Sequence, residues 1–356
     1  MLVILDFLGI SCDTLLEHFQ DLSNGPLVLK EGLAVGKSIV LGKKFEMLNK
    51  AIVSEKIQKK LKKSYFEIST KNFEEPPTLN KDFIKKFAEK AKRMSATRHL
   101  LYFTVVNGAF ERLTVNWLCN TVIFKGLHDL VLIVSTSKSL CESVHSKFNE
   151  KLACMFMNLP GFEEDLDWGE QKYINFLTIR AQLMRMLIES SVRFVLIETD
   201  STWFRDPIDL FINATVIDDA DIVVPSKGYA PKGDNLGFSP MLVESTNTSI
   251  ALFDEINRRL LGNDSLYDQD VLNELCSMQY HGVVCRIFAY SEIADGKWFH
   301  LNERVKNSMK PFIVNNNFYV GLQNKETRQA LNGFWFLTKT GQCSTNKVRR
   351  ALKKRC

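Results

Sequence analysis

Three short apolar runs limit what this chain can fold into: LLYFTVVN at 100–107, DLVLIVST at 129–136 and RFVLIET at 193–199. Each has the length of a strand, is continuous rather than alternating, and closes on a polar residue, as strands covered on both faces do. Helical periodicity separates them. It runs over 110–124 through Leu113, Trp117 and Leu118, again over 138–148, and over 171–190. Buried strands alternating with helices predict an α/β domain: a mostly parallel mixed sheet flanked by helices, Rossmann-like in layout. Ligands of such sheets gather beyond the carboxyl ends of the strands, so the residues that follow each apolar run are where chemistry is expected. Neither G-x-G-x-x-G nor G-x-x-x-x-G-K-[ST] occurs, which disfavours a dinucleotide enzyme or a P-loop NTPase.

The stretch before the first run has a different texture. From Lys50 to about Arg93 it is rich in Lys and Glu, carries Phe83, Phe87 and Ala91 at helical spacing, and is interrupted by Pro76 and Pro77. We read 1–95 as an N-terminal stem or accessory helical region, 96–340 as the main domain and 341–356 as a basic tail. The net charge of +5 is small, and much of the excess lies in 56–63 and 347–356, so a nucleic-acid partner is not expected. The opening segment MLVILDFLGIS is broken by Asp6 and is far shorter than the ~20 apolar residues of a membrane span, so no span is expected in this chain. Eight cysteines without a C-x-x-C pair fit disulfides in an oxidising lumen, and eight free thiols nearly as well. Sequons at Asn213, Asn247 and Asn263 point towards the secretory route.

Alternate carboxylates at the end of a strand suit one kind of chemistry well. When a sugar leaves a nucleoside diphosphate, negative charge grows on the phosphate and must be met by a cation. Two acids spaced i and i+2 can hold a hard divalent ion, one of them directly. D-x-D occurs three times, at Asp165/Asp167, Asp219/Asp221 and Asp268/Asp270. The first lies in a loop, the second stands before the apolar run IVVP, and the third opens a helix over 267–279. Only Glu198 and Asp200 stand at the carboxyl end of a buried strand.

The segment VLIETDSTWFRDPIDLF at 195–211 resembles the D-x-D-x-x-W-x-R-D-P segment of the nucleotide-diphospho-sugar transferase family, related to plant cell-wall xylosyltransferases and to many animal sequences of uncertain substrate. NWLCN at 116–120, NLGF at 235–238, YDQDVLNEL at 267–275 and IVNNNFYVGLQNK at 313–325 resemble further family segments in the right order. The resemblance covers roughly 98–335 and leaves the first ninety or so residues unexplained.

This resemblance implies a GT-A-like glycosyltransferase that moves a sugar, most simply from a UDP-sugar, to a glycan, protein or glycoprotein acceptor with retention at the anomeric carbon. It implies Asn107 beside the base, Arg180 and Lys325 on the diphosphate, Asn235, Gly237 and Asp268 near the sugar, and Mn²⁺ or Mg²⁺ held by Glu198, Asp200 and Asn315. It also implies the Golgi or ER lumen. Two positions depart from the pattern: Glu198 stands where the family carries Asp, and Asn315 where it carries His, although an amide oxygen still ligates a hard cation. Plainer roles stay open as well: a solvated helix charge for Arg180, a turn for NLGF, a helix cap for Asp268, and core packing for Trp203 and Trp298. Two other functions compete. One is a catalytically silent paralogue that binds nucleotide or glycan or serves as an assembly module; the other is a helical interaction protein centred on 50–93.

Overall fold

The structure is a computed structural model and describes residues 77–148, 152–213, 217–227, 236–262 and 266–355. Most of the expected stem, the basic run at 56–63, Asn235, the sequon asparagine Asn263, Cys12 and Cys356 lie outside the described residues.

The chain enters on helix α1 (Lys81–Ser95), capped by the Asn80 side chain, which accepts from the backbone N–H groups of Asp82 and Phe83. Strand β1 (Leu101–Val106), helix α2 (Glu111–Thr121), β2 (Val131–Ser135), α3 (Lys138–Lys147) and β3 (Ala153–Phe156) follow, then the long helix α4 (Gln171–Glu189) and β4 (Phe194–Leu196). The second half runs through β5 (Thr202–Trp203), α5 (Ile208–Ile212), β6 (Ile222–Pro225), β7 (Met241–Val243), α6 (Asn247–Gly262) and α7 (Asp268–Ser277). It continues with β8 (Cys285–Phe288), β9 (Ile293–Ala294), α8 (Glu303–Met309), β10 (Ile313–Val314), α9 (Leu322–Leu331) and α10 (Thr345–Arg355).

Seven strands form the main sheet in the order β3-β2-β1-β4-β7-β6-β8, and β5-β10-β9 form a small second sheet. In the main sheet only β7 runs against its neighbours; β1 pairs in parallel with β2 and β4, β2 with β3, and β6 with β8. This is the mostly parallel α/β sheet expected from the apolar runs. Every residue of β1 and β2 is buried. Side chains alternate between faces along β1: Leu101, Phe103 and Val105 enter a core with α1, α4, α6 and α7, while Leu100, Tyr102 and Val106 enter another with α2 and α3.

Two regions set apart in the sequence belong to this domain. Phe87 and Ala91 of α1 are buried in the main core, with the Phe87 ring 5.6 Å from that of Phe103, so 81–95 packs on the sheet and does not stand off as stem. The basic tail folds as α10 because Val348 and Leu352, four residues apart, bury one stripe against Phe334 and Phe336 while Lys347, Arg349, Arg350, Lys353 and Lys354 stay outside. Trp203 and Trp298 are fully buried core residues, which removes them from the acceptor side. Trp203 meets Trp117 edge-on at 5.3 Å, and Trp298 packs with Phe204, Phe299 and Phe334. Disulfides join Cys119 to Cys343, Cys141 to Cys154 and Cys276 to Cys285. No helix among the described residues is long and apolar enough to cross a membrane.

Candidate active site

Strand β4 is the central strand of the main sheet, and the chain leaving it crosses to the small sheet through Glu198, Thr199, Asp200 and Ser201. Both ends of this crossing are pinned. Ile197 N–H donates to Phe103 O at 2.8 Å, and Ser201 turns back on Glu198 O with its backbone N–H at 3.3 Å and its hydroxyl at 2.8 Å. Beyond it, Trp203 N–H donates to Asn120 Oδ1 at 2.7 Å, which is the work of the NWLCN helix α2. Short, fixed turns at strand ends are where a fold can present charged groups without losing packing.

Asp200 is only 2% exposed. Its Oδ2 accepts from the Lys325 ammonium at 2.5 Å, and its backbone oxygen accepts from Gln329 Nε2 at 2.6 Å. Helix α9 therefore grips the acid at two points, and Asn116 holds Gln329 in turn at 3.3 Å. The Oδ1 of Asp200 is buried and has no hydrogen-bond partner among the described residues. A buried carboxylate oxygen left unpaired is costly, and sites that bind a ligand are where such atoms persist.

Arg180 comes from α4. Its guanidinium donates to the Asp268 carboxylate at the first turn of α7, lies 3.6 Å from Glu198, and covers the Phe238 ring at 4.8 Å. Burial works against the charged guanidinium, but Asp268 and Glu198 outweigh it and hold its pKa above the ordinary range. So Arg180 is no solvated helix charge. Tyr267 occupies the cap position of α7; Asp268 is the first helical residue, and its carboxylate takes Arg180 and its own neighbour's Gln269 N–H.

Glu198 is half-buried. Burial and the adjacent Asp200 carboxylate push its pKa up, partly offset by Arg180 and Lys325. Lys325 is pulled down by burial, but Asp200 and Glu198 raise its pKa overall, so its ammonium stays charged.

The remaining residues stand around this core. Asn107, at the end of β1, donates through Nδ2 to Glu164 O at 2.6 Å, and its Oδ1 is buried without a partner among the described residues. Asn315, one residue beyond β10, donates through Nδ2 to Ser239 O, and its Oδ1 is likewise unpartnered. Gly237 passes so close to Pro225 that a Cβ would meet Pro225 Cγ at 2.8 Å and Pro225 O at 3.1 Å, so its smallness serves packing against β6.

Two cavities meet at the acids. An inner chamber of about 120 Å³ is lined by Asn107, Phe110, Asp165, Tyr173, Thr199 and Asp200. An outer cleft of about 400 Å³ is lined by Phe238, Ser239, Asp268, Gln269 and a rim of aromatic side chains. Arg180, Glu198 and Lys325 border both. The structure thus brings together Asn107, Arg180, Glu198, Asp200, Asp268 and Lys325. Sequence reasoning missed Asp165, which it had left in a loop, along with Tyr173 and Gln329. Their only signal is contact across the fold. Burial pushes the Tyr173 hydroxyl up to about 12, so it faces the chamber as a neutral group.

The model of the nucleotide-diphospho-sugar transferases matches residues 126–329, more than half of the chain. The chain belongs to this family. A sugar transferase that uses nucleotide-diphosphate donors accounts for cations and carboxylates set where two cavities join. The matched span holds Arg180, Glu198, Asp200, Gly237, Asp268, Asn315 and Lys325, while β1 and Asn107 precede it. No curated protein matches the sequence. Among solved structures the fold is similar to the "WbbM bifunctional glycosytransferase apo structure", at 10% identity and a TM-score of 0.35 over 71% of this chain and 49% of that one. The chain spans about half the length of that structure.

Proposed function

We propose that this family member transfers a sugar from a UDP-sugar to a glycan or glycoprotein acceptor, with retention and with help from a divalent cation. The observation that carries this is the junction of the two cavities. The inner chamber suits a nucleoside, the outer cleft suits a sugar and its acceptor, and Arg180 and Lys325 stand between them where a diphosphate would bridge. The unpaired Asn107 Oδ1 is an acceptor ready for a base N–H.

The charge balance supports a cation. Glu198, Asp200 and Asp268 face Arg180 and Lys325, so three formal negative charges meet two positive ones. A diphosphate would enter a site that is already slightly negative, and a divalent ion reverses that sign. Among the described residues no group of three or more His, Cys, Asp or Glu could hold a metal ion. The unpaired hard oxygens that suit one are Asp200 Oδ1, two residues from Glu198, and Asn315 Oδ1, one residue beyond β10; with the donor's phosphates these residues would hold the ion. Bound there, Mn²⁺ or Mg²⁺ would supply Lewis-acid stabilisation of the leaving phosphate.

The chain's own residues do the rest. Asp268 is engaged by Arg180 and the Gln269 N–H, which suits a positioning role better than a nucleophile. In the reaction proposed, the bond between the anomeric carbon and the β-phosphate oxygen breaks and its electron pair stays on that oxygen. The acceptor hydroxyl bonds to the same face of the sugar, and its proton passes to the departing phosphate. Arg180 and Lys325 stabilise the charge that develops. Exposed Asn213 and Asn247 and three disulfides fit an oxidising, glycan-bearing compartment such as the Golgi or ER lumen. Release of UDP from a panel of UDP-sugars tests the proposal: turnover of one donor that is lost in Lys325→Ala supports it, and turnover of none contradicts it. A silent nucleotide-binding module is the second reading, favoured by the Lys325 ammonium already seated on Asp200 at 2.5 Å. It predicts UDP binding without turnover.

A further inference from the structure

The outer cleft groups large aromatic side chains that are exposed, which a surface of scattered apolar atoms does not do. Trp168, in the acidic loop before α4, is 64% exposed. Its ring lies parallel to that of Tyr267, with 5.0 Å between centroids and 3° between planes, and Tyr173 tilts against Tyr267 from below at 6.3 Å. Phe318, Tyr319 and Val320 line the same cleft and are exposed as well. Grouped apolar surface of this kind, rimmed by polar side chains, marks an interaction site.

The loop that carries Phe318 is held firmly. Arg328 donates to Asn316 Oδ1 and to Asn317 O, both at 2.6 Å, and lies 4.1 Å over the Tyr319 ring. Gly296 N–H donates to Asn317 Oδ1 at 2.6 Å. Phe318 itself sits at φ +59, a backbone conformation that bulky residues rarely adopt and that local structure must enforce.

Between these aromatic groups the cleft offers hydrogen-bonding side chains: Lys227, Gln269, Asp270 and Asn317. A flat, exposed aromatic face beside such groups matches the two faces of a sugar ring, whose C–H bonds pack on the aromatic while its hydroxyls reach the rim. Trp168, Tyr267 and Phe318 come from loops, and Gln269 and Asp270 from the first turn of a helix, so the cleft lining among the described residues presents no strand edge to an extended peptide. The cleft is also continuous with the donor chamber through Tyr173, Leu177, Arg180, Glu198 and Lys325.

We infer that the Trp168–Tyr267 stack, with Phe318 and Tyr319, is an acceptor subsite that takes a pyranose ring of a glycan and not a bare peptide hydroxyl. This rests on the donor reading given above. Saturation-transfer NMR tests it on the full chain, with a panel of methyl pyranosides and an unglycosylated Ser/Thr-rich peptide as probes, while UDP binding is followed calorimetrically in the same samples. One or more pyranosides should be saturated mainly at the C–H protons of one ring face. Affinity should fall by about tenfold in Trp168→Ala and be largely kept in Trp168→Phe, with UDP affinity equal in all three proteins. The inference is overturned if UDP binds but no pyranoside is saturated, if the peptide is saturated instead, or if Trp168→Ala leaves the pyranoside signal unchanged. Pyranoside binding without any UDP binding would overturn the donor reading and leave the subsite standing.

Discussion

At the scale of residues, the site is a set of charges that keep one another charged. Lys325 stays protonated because Asp200 and Glu198 outweigh its burial, and Arg180 because Asp268 and Glu198 do. Lys325→Ala should weaken UDP binding by about ten- to a hundredfold, the worth of one charged hydrogen bond, while uridine affinity changes little. Titration of both ligands separates the two; an equal loss for uridine would move Lys325 off the diphosphate. Glu198, Asp200 and Lys325 were legible in the sequence because a buried run ends at the acids and the later segments keep their order. The contact of Arg180 with Asp268 was not, because the two lie 88 residues apart and only the packing of α4 against α7 joins them. Trp168 gave no sign either, since a lone tryptophan in a sequence does not reveal whether its ring is buried like Trp298 or open.

Among the elements, long buried strands and amphipathic helices declared themselves through period and length, and β1, β2, α2, α3 and α4 lie where the apolar pattern put them. The two-residue strands β5, β9 and β10 carry no such pattern; they exist because the chain beyond Asp200 has to be tied to Asn315. Gly296, just beyond β9, shows how tight that tie is. A Cβ there would come within 2.0 Å of Asn317 O and 3.0 Å of the Arg328 side chain. Gly296→Ala should lower stability by about 1–3 kcal/mol in denaturant unfolding, because backbone must move to admit it, and should disturb the Phe318 loop with it. His128, in the turn leading into β2, is buried beside Thr121, 2.9 Å from ring nitrogen to hydroxyl. Burial lowers its pKa to about 4 from the ordinary 6.5. The unfolded chain therefore takes up this proton at a higher pH than the folded one. The contribution is complete above pH ~6.5 and is lost as pH falls towards 4, on the order of 3 kcal/mol in all. Melting curves of the protein and His128→Gln across that range should converge at low pH; parallel curves would mean that His128 titrates normally.

Over the whole molecule, the domain is closed by helix α10 and, among the described residues, by one long-range covalent link. Cys119 in α2 joins Cys343 just before α10, across 224 residues, and ties the helix behind the acids to the carboxyl-terminal segment. Replacing both cysteines by Ser should cost about 2–4 kcal/mol and lower the melting temperature of the oxidised protein; an unchanged melting temperature would show that this link adds nothing to stability. The sequence foresaw α10 only as a basic tail, because charge hides a stripe made of Val348 and Leu352 alone. If the junction of the two cavities is a nucleotide-sugar donor site, calorimetric titration of the full chain with UDP, with and without Mn²⁺ and with GDP as control, will show it. UDP should bind better than GDP, and more tightly with Mn²⁺, and Asp200→Ala should remove the metal-dependent part. Binding of neither nucleotide, or equal binding in Asp200→Ala, would contradict it.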